Sequence, residues 1–358
     1  MNRLRVAFFS VVPSPYQRDL FAALAARPEV ALEVFYLGAS VPDSPWPEAP
    51  LRPFEGVLPG HCFSSGPRHI HLNWRLPALK SYDVIVLNTL MSVTAQWLMH
   101  GPLRGQRWMF WGEKLHNPTR STTGLRGLLT APLQRATGIA GIGTWAAESY
   151  RALFPQPRIF NIPYHCDLTP FLAQPRRPRD DGKVVFLFCG QMIARKGLDW
   201  LLAAFAQLDD RAHLLLVGRE AELPQLLAVL PVTARARVRY AGFQAPEDLP
   251  RFFGEADVFV LPSRYDGWGV VVNQALGAGL PIVCSDQVGA GCDLVEEGVN
   301  GHRFAVGRTE ELRDSLQRFL DEPARIDDYG RASRARAAEW QPANGADRWV
   351  KALVSLGS

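Results

Sequence analysis

No run of apolar residues in this chain approaches the roughly 20 that a membrane-spanning helix needs. Segments such as Val84–Leu87 and Val258–Leu261 stop after 4 residues. Cysteine is sparse: Cys62, Cys166, Cys189, Cys284 and Cys292 are odd in number and no pair has CxxC spacing. That excludes a disulfide framework and a cysteine-built zinc site. No tandem repeat of fixed period occurs, so a solenoid is excluded. The opening Met1-Asn2-Arg3-Leu4-Arg5 runs straight into strand-like sequence, without an apolar leader or small-residue cleavage site. A cytoplasmic location is therefore expected. The formal charge of +4 is too weakly concentrated for nucleic-acid binding, and no recognised module for it is present. What is present is a globular composition, 47% hydrophobic and 21% charged, on 358 residues, a length that suits two domains.

Acidic residues are scarce in one place. Between residues 101 and 136, Arg104, Arg107, Lys114, Arg120, Arg126 and Arg135 face only Glu113, with Trp108, Phe110 and Trp111 among them. Such a face could meet anionic headgroups at the inner surface of the cytoplasmic membrane. The competing reading is a solvated basic face with a few core aromatics.

Short apolar runs alternate with helix-period segments, the pattern of parallel βα units. In the first half, strands are expected at 4–10, 31–36, 84–88, 108–111, 138–142 and 159–162, with a helix at 16–26. Residues 40–78, rich in proline and glycine, read as an irregular insertion. Residues 168–183 (LTPFLAQPRRPRDDGK) read as a linker. Beyond it, strands at 184–189, 213–217, 238–241, 258–261 and 281–284 alternate with helices at 198–208, 222–229, 247–253 and 269–277. Helices at 310–320 and 345–356 follow. The expected fold class is α/β, with two Rossmann-like domains facing across a cleft: 1–167, a linker at 168–183, and 184–340. Residues 341–358 are expected as a helix packing back on the first domain.

Ligands in doubly wound sheets bind beyond the carboxyl ends of the strands, so the loops there are the candidates for chemistry. The loop after strand 184–189 is Gly190-Gln191-Met192-Ile193-Ala194-Arg195-Lys196-Gly197. Its glycines permit a tight turn and close backbone approach, and its two cations precede a helix, which suits a diphosphate. A solvated Arg-Lys pair is the alternative. The loop after strand 258–261 is Pro262-Ser263-Arg264-Tyr265-Asp266-Gly267-Trp268-Gly269, running into a helix. Asp266 and Gln274, eight residues apart, could touch two parts of one ligand. The alternatives are an N-cap for Asp266 and a surface glutamine for Gln274.

Taken together, PSRYDGWGVVVNQALGAGLPIVCS and GQMIARKGLDWLLAAF resemble the signatures of the retaining glycosyltransferases of family 4, with HLLLVG, VRYAGF and EADVFVLPS between them in the same order. The resemblance is close over residues 184–322. It is looser over 1–166, where SPYQRDLFAAL and FNIPYHCDLTPF are similar to the family's first helix and pre-linker segment. It implies the GT-B fold and transfer of a sugar from a nucleoside-diphosphate sugar, expected to be a UDP-sugar, to an acceptor hydroxyl with retention. The implied acceptor is a glycan or lipid-linked intermediate in polysaccharide or glycolipid assembly. By the same resemblance, Arg195 and Lys196 would neutralise the diphosphate, Asp266 would bind donor-sugar hydroxyls, and Gly267, Trp268 and Gly269 would offer backbone N–H groups. Gln274 would hold the ribose, and Gly190 with Gly242-Phe243 would border the nucleotide. A histidine near His116 would meet the donor sugar or the acceptor.

The sequence departs from that signature where Asp266 and Gln274 replace glutamates, where Gln191 replaces an arginine, and where VVPSPYQRD replaces a Gly-Gly loop. No Asp-x-Asp pair occurs, so no metal or other cofactor is expected, the cations serving in its place. Two alternatives remain: a nucleotide-sugar-binding partner subunit without turnover, and a UDP-sugar epimerase of the same architecture. In the first half, Arg18 reads as a surface residue, Glu113 as a polar loop residue, and His165 with Asp167 as organisers of the hinge.

Overall fold

The computed structural model describes residues 3–40, 50–65, 68–115, 123–174, 176, 179 and 181–357. The chain falls into two units, Met1–Cys166 with Pro342–Ser358, and Asp167–Gln341. Among the described residues no helix is long and apolar enough to cross a membrane.

The first unit is built on β1 (Leu4–Ser10), β2 (Val30–Tyr36), β3 (Glu55–Val57), β6 (Val84–Leu87), β7 (Trp108–Gly112), β8 (Gly138–Gly141) and β9 (Arg158–Asn161). These form one parallel sheet in the order β3-β2-β1-β6-β7-β8-β9. The central strands are apolar at successive positions because helices cover both faces, so alternation would bury polar side chains. β4 (Gly60–Ser65) and β5 (Arg68–Asn73) form a separate antiparallel hairpin. The segment expected to be irregular therefore contains three strands. Among its described glycines, Gly56 lies within β3 and Gly60 begins β4, so glycine there did not signal an absence of strands.

Trp108, Phe110 and Trp111 are core residues of β7, the strand expected at 108–111, which favours the reading of a solvated basic face with core aromatics over that of an aromatic headgroup face. Trp111 lies edgewise to Phe8 and Trp349, and its Nε1 donates to the Ile162 carbonyl at 2.9 Å. Burying a ring of this size contributes about 2–3 kcal/mol, more than a surface role would offset. Trp349 belongs to helix Pro342–Gly357, which packs on helix Pro15–Ala25. Arg18 is also not a surface residue. It is buried, and its guanidinium grips Glu55 at 2.7 Å while the Tyr36 hydroxyl donates to the same carboxylate at 2.8 Å.

The second unit is a parallel sheet in the order β12-β11-β10-β13-β14-β15. Its strands are β10 (Val184–Cys189), β11 (Ala212–Val217), β12 (Val238–Tyr240), β13 (Val258–Leu261), β14 (Ile282–Ser285) and β15 (Gly301–Phe304). The segment expected as a linker lies with this unit over its described residues. Phe171, in helix Thr169–Ala173, packs on Phe253, and Arg176 pairs with buried Asp257 at 2.8 Å.

In each unit the chain starts in a central strand and winds out both ways. The order of winding reverses between β1 and β6 in the first unit and between β10 and β13 in the second. These are the positions where a doubly wound sheet opens a crevice for a ligand.

Candidate functional site

β10 and β13 pair directly, Phe186 against Val258 and Leu187 against Phe259. The loops that leave their carboxyl ends are therefore neighbours, although about seventy residues separate them. Gly190, Gly218 and Gly242 lie in a row where β10, β11 and β12 end. A Cβ on Gly218 would stand 2.0 Å from the Gly190 carbonyl oxygen, and the Gly218 N–H donates to the Gly242 carbonyl at 2.9 Å. Only backbone fits at Gly218. Lys196 folds over this floor, its Cε 3.9 Å from where a Gly190 Cβ would stand.

Gly197 fixes how the two loops meet. It has φ +69°, and a Cβ on it would lie 2.0 Å from the Pro262 carbonyl oxygen. Any larger residue would combine a left-handed strain with a backbone clash. Arg264 completes the junction. Its N–H donates to the Arg195 carbonyl at 2.8 Å, and its guanidinium holds Asp199 at 2.6 Å and lies 3.9 Å above the Trp200 ring. The hydrogen bonds from Arg264 hold the Asp199 carboxyl below the usual carboxylate range.

Within this frame the residues singled out from the sequence come together. Lys196 Nζ lies 2.5 Å from Asp266 Oδ2 with both side chains mostly buried, and Arg195 Nη1 lies 3.8 Å from Asp266 Oδ1. Arg195 also donates to the Tyr265 carbonyl at 2.9 Å. Cys189, directly before the loop, is a neutral packing residue, its thiol pushed up to about 12 by burial.

Asp266 is not the N-cap of the following helix. That helix runs Val271–Ala278, two residues later than the sequence pattern suggests. Asp266 sits in a turn bridged to Val288, with its carbonyl accepting from Gly289 at 3.0 Å. Gln274 accordingly lies in the helix's first turn rather than two turns from Asp266. Its Oε1 is buried without a hydrogen-bond partner, an expensive state for an amide oxygen unless a ligand donor reaches it. Trp268 anchors the turn: its side chain is fully buried and its Nε1 donates to Asn273 Oδ1 at 2.9 Å. The N–H groups of Gly267, Trp268 and Gly269 are not taken up by any backbone carbonyl among the described residues. Phe243 stands half-exposed beside Gly242, with the Arg219 guanidinium 5.5 Å from its ring centre. His116 lies outside the described residues. Glu113 is exposed, its carbonyl accepting from the Tyr150 hydroxyl at 2.6 Å.

Arg264, Asp199 and Gly218 escaped the sequence reading as site residues. Arg264 sits within the loop already suspected, but nothing in the sequence shows that its partner is 65 residues away. The carboxyl ends in the first unit are furnished differently. Ser10 Oγ donates to Gln17 Oε1 at 2.9 Å, Gln17 Nε2 to Asn88 Oδ1 at 2.7 Å, and Asn88 Nδ2 to the Trp111 carbonyl at 2.9 Å. That network holds no charge.

This fold is GT-B. Sucrose-phosphate synthase from Thermosynechococcus elongatus superposes with a TM-score of 0.74 at 20% identity, covering 99% of both chains. HepE from Anabaena in complex with UDP superposes at 0.73 and 17% identity, covering 98% of this chain and 100% of that one. Residues 183–322 match the family of glycosyl transferases group 1. Among curated relatives, the alpha-D-kanosaminyltransferase of Streptomyces kanamyceticus is 30% identical over 147 residues, 40% of this chain and 38% of that one. The matches to the first such relatives span 32% to 38% of their length.

Proposed function

We propose that this chain is a glycosyltransferase that moves a sugar from a nucleoside-diphosphate sugar to an acceptor hydroxyl with retention of anomeric configuration. The observation that carries the reading is the cluster of Lys196, Arg195 and Asp266 at the switch point of the second unit, on a floor of glycines. Cations fixed there stabilise the charge that grows on a departing diphosphate, and the junction glycine holds them in place before the reaction begins. Lys196 exchanges Asp266 for phosphate oxygens as the donor arrives, which releases the carboxylate to accept hydrogen bonds from sugar hydroxyls. The free N–H groups of residues 267–269 donate to sugar or phosphate. The orphaned Gln274 Oε1 accepts from a ribose hydroxyl, and Phe243 beneath Arg219 borders the base. A UDP-sugar is the proposed donor, in keeping with the HepE complexes with UDP and with UDP-glucose. Retention follows from attack on the face the diphosphate leaves, with the leaving oxygen accepting the acceptor's proton. The acceptor is proposed to be a glycan or a lipid-linked intermediate of polysaccharide assembly.

The test is turnover of UDP-sugars with glycan and lipid-linked acceptors, the product's anomeric configuration being read by proton NMR. A product with the donor's configuration is expected, and an inverted one contradicts retention. Release of a free, altered sugar without acceptor means an epimerase, and nucleotide binding without turnover means a partner subunit. The reaction is proposed to need no metal. Turnover lost in EDTA and restored by magnesium would contradict that.

A further inference from the structure

The first unit carries a surface that the donor chemistry leaves unused. Alternate residues of a strand point to opposite faces. In β5, His71 and Asn73 are buried while Ile70 and Leu72 are exposed. Across the hairpin Phe63 stands opposite Ile70 and is exposed as well. Trp74 lies 5.0 Å from the His61 ring yet keeps 62% of its surface open. The hairpin's outer face is thus apolar, where an exposed two-stranded ribbon is ordinarily guarded by charge.

The hairpin is tied to helix Val93–His100. The Asn73 N–H donates to Thr94 Oγ1 at 2.9 Å, and that hydroxyl donates to Asn73 Oδ1 at 2.9 Å. Two residues on, Gln96 Nε2 donates to the Leu129 carbonyl of helix Gly124–Thr130 at 3.1 Å. Flanking these ties, the helix exposes Val93 and, four residues later, Trp97, which is 57% open. Met91 just before the helix and Leu128 on the neighbouring one are exposed too. Apolar side chains on three bonded elements therefore face solvent.

The charge along this stretch of chain has largely one sign. Between residues 61 and 136 there are nine lysines and arginines, and the only acids are Asp83 and Glu113. Asp83 is engaged by the Arg5 N–H at 2.7 Å. Arg75, Arg104 and Arg126 are exposed and make no ion pair among the described residues. A second copy of this chain would set like charge against like. A nucleic acid would satisfy the arginines and could stack on the indoles, but it would leave the exposed aliphatic Ile70, Leu72 and Val93 in water. A bilayer with anionic headgroups meets both demands, since indoles favour the interface and basic side chains gain from the surface potential.

We infer that the paired strands Gly60–Ser65 and Arg68–Asn73 and the helix Val93–His100 together form a docking surface for an anionic lipid bilayer. It differs from the stretch around Trp108 and Trp111, whose rings are in the core, and it does not depend on the transferase reading. The full chain is sedimented with vesicles of phosphatidylcholine alone and of phosphatidylcholine with phosphatidylglycerol in equal parts. Binding to the mixed vesicles only is expected, with brominated acyl chains quenching tryptophan emission. Trp74→Ser with Trp97→Ser should lower binding at least ~tenfold and abolish the quenching. Arg75→Ser and Arg104→Ser should each weaken binding about fivefold without altering the thermal transition, which keeps the test sound if the tryptophan variant unfolds. No binding to mixed vesicles, or binding undiminished in all these variants, overturns the inference. So does a dimer that the tryptophan substitutions dissolve, or tighter binding to DNA than to vesicles.

Discussion

The two units share a winding order and differ in what stands at the place where that order reverses. Beyond β10 and β13 the side chains are charged: Lys196 on Asp266 at 2.5 Å, Arg195 beside them, and Arg264 on Asp199. Beyond β1 and β6 they are neutral, Ser10, Gln17 and Asn88 passing hydrogen bonds to one another. The same crevice of a doubly wound sheet can thus be an anion site or a hydroxyl site, and the topology does not decide which. Cations with a glycine floor suit a diphosphate, whereas a network of amides and hydroxyls is suited to neutral polar ligands.

The most damaging way to break this contrast is to remove its cation. Lys196→Ala should lower kcat/KM by about 10²–10³, as loss of one preplaced charge-stabilising group does, and steady-state kinetics would read it. Gly197→Ala should follow, because its Cβ would meet the Pro262 carbonyl at 2.0 Å in a left-handed backbone. A stability loss of about 3 kcal/mol is expected in urea titrations, together with weakened nucleotide binding.

A comparable effect belongs to the first unit and depends on pH. Burial lowers the His165 pKa from its ordinary value to about 4. Between that value and about 6.5 the unfolded chain binds the proton and the folded chain does not, so stability rises with pH across this window. It is fully present above 6.5 and decreases by ~3 kcal/mol on acidification to 4. His71 and His213, also lowered by burial, act with the same sign. The urea midpoint should fall across this window, and less steeply in His165→Asn. Smallest in effect is Gln274→Ala, which removes an unpartnered acceptor. It should raise the KM for donor by about five- to tenfold while leaving stability nearly unchanged.

The contrast also explains what could be read from the sequence. Both loops beyond β10 and β13 were legible because each places glycines where a strand becomes a helix and charges beside them, features local to eight residues. The pairing of Lys196 with Asp266 and the clamp of Arg264 on Asp199 were not legible, since they join residues 65 to 70 positions apart through the β10–β13 register. The helix after Asp266 was placed too early because Gly269 and Val270 continue the apolar pattern, whereas the helix begins at Val271 with Val270 as its N-cap. In the first unit the strand at 108–111 was legible, but whether its aromatics were exposed or buried was not, since periodicity does not distinguish the two in a short run. Arg18 misled for a related reason. Its partner Glu55 lies in a proline-rich segment that gave no strand signal.

The most direct test of the central claim is a calorimetric titration of UDP into three proteins: the full chain, Lys196→Ala and Gln17→Ala. The charged switch point predicts equal affinity for the unaltered chain and Gln17→Ala, and at least ~tenfold weaker binding for Lys196→Ala. Affinity that survives in Lys196→Ala but falls in Gln17→Ala would place the nucleotide at the neutral network and contradict the account.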